Sequence, residues 1–321
     1  MTPLKTLLTN STYSPIPRFE QEVLIAHVIK KSRSFIIAHP EHPISKNHER
    51  RFLKLLERRS KCEPIAFLTR EKEFYGRVFR VNRHTLIPRP ETELLVECAL
   101  KHLDDIEKNF ETRKKFFSRV KKTETKKFPT VLVIDIGTGS GNIIVTLAKE
   151  LEAKKISGIA SFIAVDISEG ALRIARKNAI AENAKKNIRF LRSDLLRNVP
   201  ETLLRSAQHI IIVANLPYLS ETRYRNTPRD VRNYEPKSAL ESGRNGLQHY
   251  QRLLREIHDR FDTIRGEIPQ CLLLFEIDPE QTSPLAEMIR NHFPNSSTVF
   301  SKDLSGKYRV ADIEIKTEYT A

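Results

Sequence analysis

Cysteine is scarce in this 321-residue chain, and its three copies, Cys62, Cys98 and Cys271, lie far apart. No CxxC pair exists, so the spacing offers neither a zinc site nor a disulfide framework, and a reducing compartment suits it. Long apolar runs are missing as well. No stretch approaches the ~18 apolar residues of a membrane span. The start, Met1-Thr2-Pro3-Leu4-Lys5, lacks the apolar segment of a secretion signal. A cytoplasmic protein without a membrane partner is therefore expected. Several catalytic signatures are also absent. There is no P-loop and no nucleophile paired with a base, and none of the ten histidines lies in an H-E-x-x-H arrangement. No metal is expected in the site, and no internal repeat is visible.

Acidic residues are in deficit: 40 Asp and Glu face 55 Lys and Arg, a net charge of +15. An acidic partner fits that balance, RNA or an RNA-bound protein first, through a weak contact with the basic surface. A generally basic surface that only aids solubility fits it too. The length suits one large domain and a smaller one, and a monomer is expected.

The pattern changes along the chain. Residues 18–60 carry Phe19, Val23, Leu24, Val28, Phe52 and Leu56 at helical spacing, broken by Pro40 and Pro43. A small helical domain is expected over 1–72. Phe74-Tyr75-Gly76-Arg77-Val78-Phe79 is rich in strand formers, and Gly76 suits a turn. A β-hairpin linker is expected within 73–90, reading as strand over 73–87. Residues 91–103 read as a helix after Pro88 and Pro90. Residues 104–127 are lysine-rich with little periodicity, which reads as a solvated insertion or a frayed helix in the domain spanning 91–321, with a contact arm for RNA as the alternative.

From 131 onward, apolar runs alternate with helical patterns. Strands are expected at 131–136, 162–165, 188–191, 210–214 and 271–277, with a closing pair at 298–301 and 310–315. Helices fall between them. The fold class is thus α/β, with a seven-stranded, mostly parallel Rossmann-like sheet covered on both faces. Ligands of such sheets bind beyond the carboxyl ends of the strands.

Two motifs sit at such ends. Asp135-Ile136-Gly137-Thr138-Gly139-Ser140-Gly141 is a glycine turn that brings backbone close to a ligand and opens a helix whose free N–H groups favour an anion. Alone it serves a dehydrogenase or a plain tight turn equally well. Acids at neighbouring strand ends narrow the choice. Asp166 can accept both hydroxyls of a ribose, Asp194 an adenine amino group, and Asp135 can orient the ammonium of an amino-acid moiety. Each is also an ordinary turn residue. With the glycines, the three describe a ribose-bearing cofactor with an amino-acid tail, a description that S-adenosylmethionine fits.

The second motif is Asn215-Leu216-Pro217-Tyr218. A planar NH2 group is a poor nucleophile because its lone pair is delocalised. The Asn215 side-chain oxygen and the Leu216 carbonyl can accept its two N–H bonds. Pro217 stiffens the turn, and Tyr218 can lie against the flat target. An ordinary Asn/Pro turn is the plainer alternative.

Together these residues resemble class I S-adenosylmethionine-dependent methyltransferases that modify amino nitrogens. More narrowly, the chain is similar to the HemK/PrmC-type release factor glutamine methyltransferases. Further stretches carry that likeness: Glu63-Pro64-Ile65-Ala66-Phe67-Leu68, Glu73-Phe74-Tyr75-Gly76, Leu86-Ile87-Pro88-Arg89-Pro90-Glu91-Thr92-Glu93, Glu235-Pro236-Lys237-Ser238-Ala239-Leu240 and Lys302-Asp303-Leu304-Ser305-Gly306-Lys307. The resemblance implies a substrate-recognising helical N-terminal domain, a hairpin and a seven-stranded catalytic domain. It implies transfer of a methyl group to the side-chain amide nitrogen of the glutamine in the GGQ loop of class I peptide chain release factors. By motif match Gly137, Thr138, Gly139, Ser140, Gly141 and Asp166 would hold the cofactor, and Asn215, Leu216, Pro217 and Tyr218 the glutamine, with Asn215 also near the methyl donor. Pro88-Arg89-Pro90-Glu91 would lie at the mouth of the site.

The chain departs from that family in three places. Position 216 is Leu where Asn-Pro-Pro-Tyr is usual, so the turn keeps its carbonyl, gains an N–H and loses one φ restraint. Leu195 stands after Asp194 where an aromatic residue is frequent, so the adenine would pack differently. The insertion at 104–127 is unusually long. Asn-Leu-Pro-Tyr also resembles the ribosomal RNA adenine dimethylating enzymes, which leaves an RNA adenine N6-methyltransferase as the alternative. A catalytically silent RNA-gripping protein is a third reading.

Overall fold

The computed structural model describes residues 1–9, 15–118, 131–263 and 269–315. The N-terminal part is helical. A two-residue strand β1 (Thr2–Pro3) pairs with β2 (Pro43–Ile44) around α1 (Leu4–Leu8), α2 (Arg18–Ile29) and α3 (Arg33–Ala38); α4 (Lys46–Ser60) and α5 (Ile65–Thr69) follow. Ser32 and Ser45 cap α3 and α4 by accepting the N–H groups of Phe35 and His48, the usual role of a hydroxyl at a helix start. Leu24, Ile25, Phe52 and Leu56 form a core of its own.

The hairpin consists of β3 (Glu71–Phe74) and β4 (Arg77–Arg80). It begins two residues before the expected start, and residues 81–89 form no strand. Tyr75 and Gly76 both have positive φ, 51° and 68°, as a two-residue turn matched to strand twist requires. Phe74 and Phe79 are buried in one core layer of the large sheet. Glu93 accepts the Tyr75 N–H at 2.8 Å, and the Asn178 side chain bonds both backbone groups of Arg80.

Beyond a short helical turn at Pro90–Thr92, α6 runs over Glu93–Ser118. The expected helix ended at 103, so the first part of the charged stretch is helical, while residues 119–127 fall outside the described ones. Lys, Arg and Glu are good helix formers even without an apolar stripe, and Lys154 holds Asp104 at 2.6 Å. The large sheet then forms from β5 (Val131–Ile136), α7 (Asn142–Ala153), β6 (Ala160–Asp166), α8 (Glu169–Ala181), β7 (Ile188–Arg192), α9 (Glu201–Ser206) and β8 (His209–Ala214). It is completed by α10 (Glu221–Arg225), α11 (Arg229–Tyr234), α12 (Gln248–Thr263), β9 (Gln270–Glu276), α13 (Thr282–His292), β10 (Ser297–Lys302) and β11 (Tyr308–Ile315).

The strand order is β10-β11-β9-β8-β5-β6-β7, with β11 antiparallel to both neighbours and the rest parallel. The seven-stranded, mostly parallel sheet is thus as expected. Its apolar runs bury both faces: Leu132, Ile134 and Ile136 point into one core layer, Val131 and Val133 into the other, as strand pleating dictates. The chain leaves β5 in one direction through β6 and β7, then returns to the other side at β8. This is the switch point at which such sheets open a crevice. Among the described residues no helix is long and apolar enough to cross a membrane.

Candidate active site

Strand register sets the site's geometry. Ile136 lies opposite Val165 on one side and Ala214 on the other, and Ala214 lies opposite Phe275. The next residues, Asp166, Gly137, Asn215 and Glu276, therefore stand level on four adjacent strands. At about 4.8 Å per strand, the row is roughly 14 Å long. Two cavities open above it.

The larger, about 320 Å³, runs from Asp194 and Arg252 past Asp166 and Gly137 to Asn215 and Pro217, a size suited to a small ligand. Its floor is the glycine turn. Gly137 and Thr138 donate their N–H groups to Val165 O at 2.8 Å each. Gly137 has φ +76°, and a Cβ there would come within 3.1 Å of Leu216 Cδ2. The glycine turn and the Asn215–Tyr218 turn thus pack closely at residue 137, where a side chain would crowd Leu216. Gly141 meets α8, where a Cβ would stand 3.0 Å from Ala175 Cβ.

Asp166 is held by the Gly139 N–H at 2.9 Å and the Ser168 N–H at 2.8 Å. Burial pushes its carboxyl up, and these two bonds pull it back. Each oxygen keeps a lone pair for a hydroxyl. Ser140 and Thr138 side chains serve the loop itself: Ser140 donates to Asn142 Oδ1, and Thr138 to Asp135 Oδ2 at 2.6 Å. Asp135 lies beneath the loop rather than on the cavity wall, fully buried, and its Oδ1 has no hydrogen bond of ordinary geometry among the described residues. Burial pushes its carboxyl up to about 7. A buried orphan oxygen beside a glycine turn fits a cofactor that brings a cationic group. At the far end, Asp194 accepts from Arg252 Nη2 at 2.6 Å, so one oxygen expected for adenine already has an ion-pair partner. Leu195 lines the same end with positive φ, 49°.

The smaller cavity, about 170 Å³, is walled by Leu86, Arg89, Tyr218, Val231 and Ala239, and Asn215 lines both cavities. Asn215 Nδ2 donates to Glu276 Oε2 at 2.8 Å and to Thr92 Oγ1 at 3.0 Å. Both amide hydrogens are used, and Oδ1 has no hydrogen bond among the described residues. The Tyr218 hydroxyl donates to Glu276 Oε1 at 3.4 Å. Burial, with Glu276 nearby, pushes the Tyr218 phenol well up, so it stays protonated and is no base. The Leu216 N–H, the group gained by replacing Pro, donates to the Tyr250 hydroxyl at 3.3 Å. That fully buried tyrosine donates in turn toward the carbonyls of Ala214 and Glu276.

Of the segment expected at the mouth, Pro88 and Arg89 line the larger cavity, and Pro90 and Glu91 are not on either cavity's wall. Buried Glu235 pins the segment, accepting the Ile87 N–H at 2.9 Å and Arg89 Nη2 at 2.6 Å. Pro217 lines the larger cavity and Tyr218 the smaller one.

Glu276, Thr92, Tyr250 and Glu235 were not singled out by sequence reasoning. Glu276 carried a usable signal. It is an acid at the carboxyl end of an apolar strand, the same feature that drew attention to Asp166. Thr92 lies inside the most distinctive segment, and Tyr250 carries no sequence mark.

A parallel sheet with a glycine turn, an acid at the next strand end and an Asn-x-Pro-Tyr turn beside it defines a class I methyltransferase whose methyl donor is S-adenosylmethionine. The family models agree: the PrmC N-terminal domain matches residues 6–69, and a methyltransferase domain matches 133–234. The release factor glutamine methyltransferase of Bacillus subtilis is 34% identical over 289 residues, covering 90% of this chain and 88% of that protein. That of Nitratidesulfovibrio vulgaris is 34% identical over 272 residues, covering 85% and 79%. The chain belongs to the release factor glutamine methyltransferase family. Among solved structures, the catalytic domain of hMettl16 in complex with MAT2A 3'UTR hairpin 6 shares the fold, with a TM-score of 0.51, 15% identity and coverage of 92% and 94%.

Proposed function

We propose that the protein methylates the side-chain amide nitrogen of the glutamine in the GGQ loop of class I peptide chain release factors. The observation that carries this reading is the Asn215 amide. Its two N–H bonds are taken by Glu276 and Thr92, and its oxygen, on a residue that lines both cavities, has no hydrogen bond among the described residues. An acceptor there suits an incoming NH2 and repels a carbonyl.

The bound donor supplies a methyl group made electrophilic by its sulfonium. The protein's own groups do the rest by positioning. Gly137, Gly139 and Asp166 hold the donor with backbone and carboxylate, and Asp135 lies under the loop as counter-charge for its ammonium. Asn215 Oδ1 and the Leu216 carbonyl accept the glutamine N–H bonds and turn the nitrogen's lone pair toward the methyl. Pro217 closes the turn between them, and Tyr218 packs against the amide plane. Orientation and fixed dipoles are sufficient for such a transfer, since no proton must leave before the new bond forms.

A cytoplasmic site of action follows from the substrate, and the net charge of +15 supports weak RNA contact. Incubation with labelled methyl donor and either a release factor or unmodified ribosomal RNA tests the reading. Label in the release factor is expected; label in RNA alone overturns it.

A further inference from the structure

Asn215 presents an oxygen to the acceptor cavity only while its amide keeps one of two flips. Rotated by half a turn, it would present an NH2 to the NH2 of glutamine, two donors face to face. The ends of a carboxamide are nearly the same size, so the neighbours decide. Thr92 Oγ1 accepts one Nδ2 hydrogen at 3.0 Å and Glu276 Oε2 the other at 2.8 Å. A hydroxyl is ambivalent, but an ionised carboxylate only accepts. Thr92 and Tyr218 also hydrogen-bond Glu276, so the carboxylate is held from three sides. It is 1% exposed. Its strand position, level with Asn215 on the adjoining strand, gives it little freedom to move.

We propose that Glu276, backed by Thr92, is a positioning residue that locks the Asn215 amide with its oxygen toward the substrate. The inference rests on the glutamine reading. In the reaction, the glutamine nitrogen supplies the electron pair of the new N–C bond, the C–S pair stays with sulfur, and the nitrogen then sheds one proton to water. Glu276 touches none of these atoms and acts through Asn215 alone.

This arrangement depends on charge. Burial pushes the Glu276 carboxyl up to about 7, against the bonds from Thr92 and Tyr218; Arg309 lowers it and Glu91 raises it. The phenols of Tyr218 and Tyr250 face the same group, and burial pushes both well up, so neither ionises near neutrality. Once protonated, Glu276 can donate and no longer rejects the wrong flip.

The test is kcat for methylation of the release factor, at saturating donor, from pH 6 to 8.5. Saturation matters because Asp135, also pushed up to about 7, lies on the donor side. Wild-type kcat is expected to rise through about pH 7 and then level. Glu276→Gln is expected to be flat with pH and about 10- to 100-fold slower at pH 8, as for a displaced acceptor. Donor affinity by calorimetry and KM for the release factor should stay within about three-fold, because binding is not what Glu276 governs. Thr92→Val should slow kcat and Thr92→Ser should restore it. A pH-independent wild-type kcat, or Glu276→Gln turning over at the wild-type rate, overturns the inference and leaves the functional reading standing. A wild type inert toward the release factor overturns both.

Discussion

The two halves of the site are built by different means. The donor half is local: Asp135, Thr138, Gly137, Gly139 and Asp166 come from one strand-turn-helix and the adjoining strand end, and backbone N–H groups make most of its bonds. The acceptor half is assembled from afar. Asn215 is held by Thr92 and Glu276, 123 and 61 residues away, and its turn by Tyr250, 34 residues from Leu216. A backbone cradle accommodates a donor that is always the same molecule. On the proposed reading, a side-chain clamp would fix one amide of one incoming loop and reject the wrong orientation. The halves touch where Leu216 lies over Gly137.

The comparison predicts that damage to one half leaves the other's function in place. The largest effect is expected from Asn215→Ala, which removes the acceptor: kcat should fall about 10²- to 10³-fold, as when a fixed transition-state partner is lost. Calorimetry should give an unchanged Kd for S-adenosylmethionine; a large loss of donor binding would break the separation. Asp166→Ala is the mirror test. It should weaken donor affinity about 10- to 100-fold, the worth of hydrogen bonds to a charged group, with kcat nearly retained at saturating donor. Tyr250→Phe removes the hydroxyl that joins the Leu216 N–H to two strand-end carbonyls. About 1–3 kcal/mol of stability should be lost in denaturant unfolding, together with turnover but not donor affinity.

The smallest effect concerns pH. The Asp135 carboxyl is raised by burial from 3.8 to about 7 in the folded chain. Between those values the folded protein holds a proton that the unfolded chain releases, so this group's contribution to stability falls as pH rises through the window. Asp135→Asn should therefore raise Tm by a few degrees at pH 8 and leave it unchanged near pH 4, measured by thermal unfolding without donor. Equal Tm values at pH 8 would mean that the orphan oxygen costs the fold nothing.

The same division explains what could be read in advance. Unbroken apolar runs such as that of β5 announced the parallel sheet, and glycines close to a strand end announced the donor turn, because both signals lie within a few residues. The hairpin's period was visible, yet its burial was not. Phe74 and Phe79 look like any strand residues until the catalytic core closes over them. The end of α6 stayed open between a solvated insertion and a frayed helix, because a charged stretch without an apolar stripe carries no periodic signal, although its residues favour helix. Asn215 was found by its motif. The bonds that orient it were not, since nothing in the neighbourhood of Thr92, Tyr250 or Glu276 reports a partner so many residues distant. Asp135 and Asp194 stand out in the sequence as acids at strand ends, but their partners, Thr138 and Arg252, emerge only from the folded geometry.

Peptide-mapping mass spectrometry of a release factor, after incubation with S-adenosylmethionine and either wild type or Asn215→Ala, tests the central claim most directly. The account predicts one methyl group on the side-chain nitrogen of the GGQ glutamine with wild type, and almost none with the variant although it still binds donor. A methyl group on another residue, or equal methylation by the variant, would contradict it.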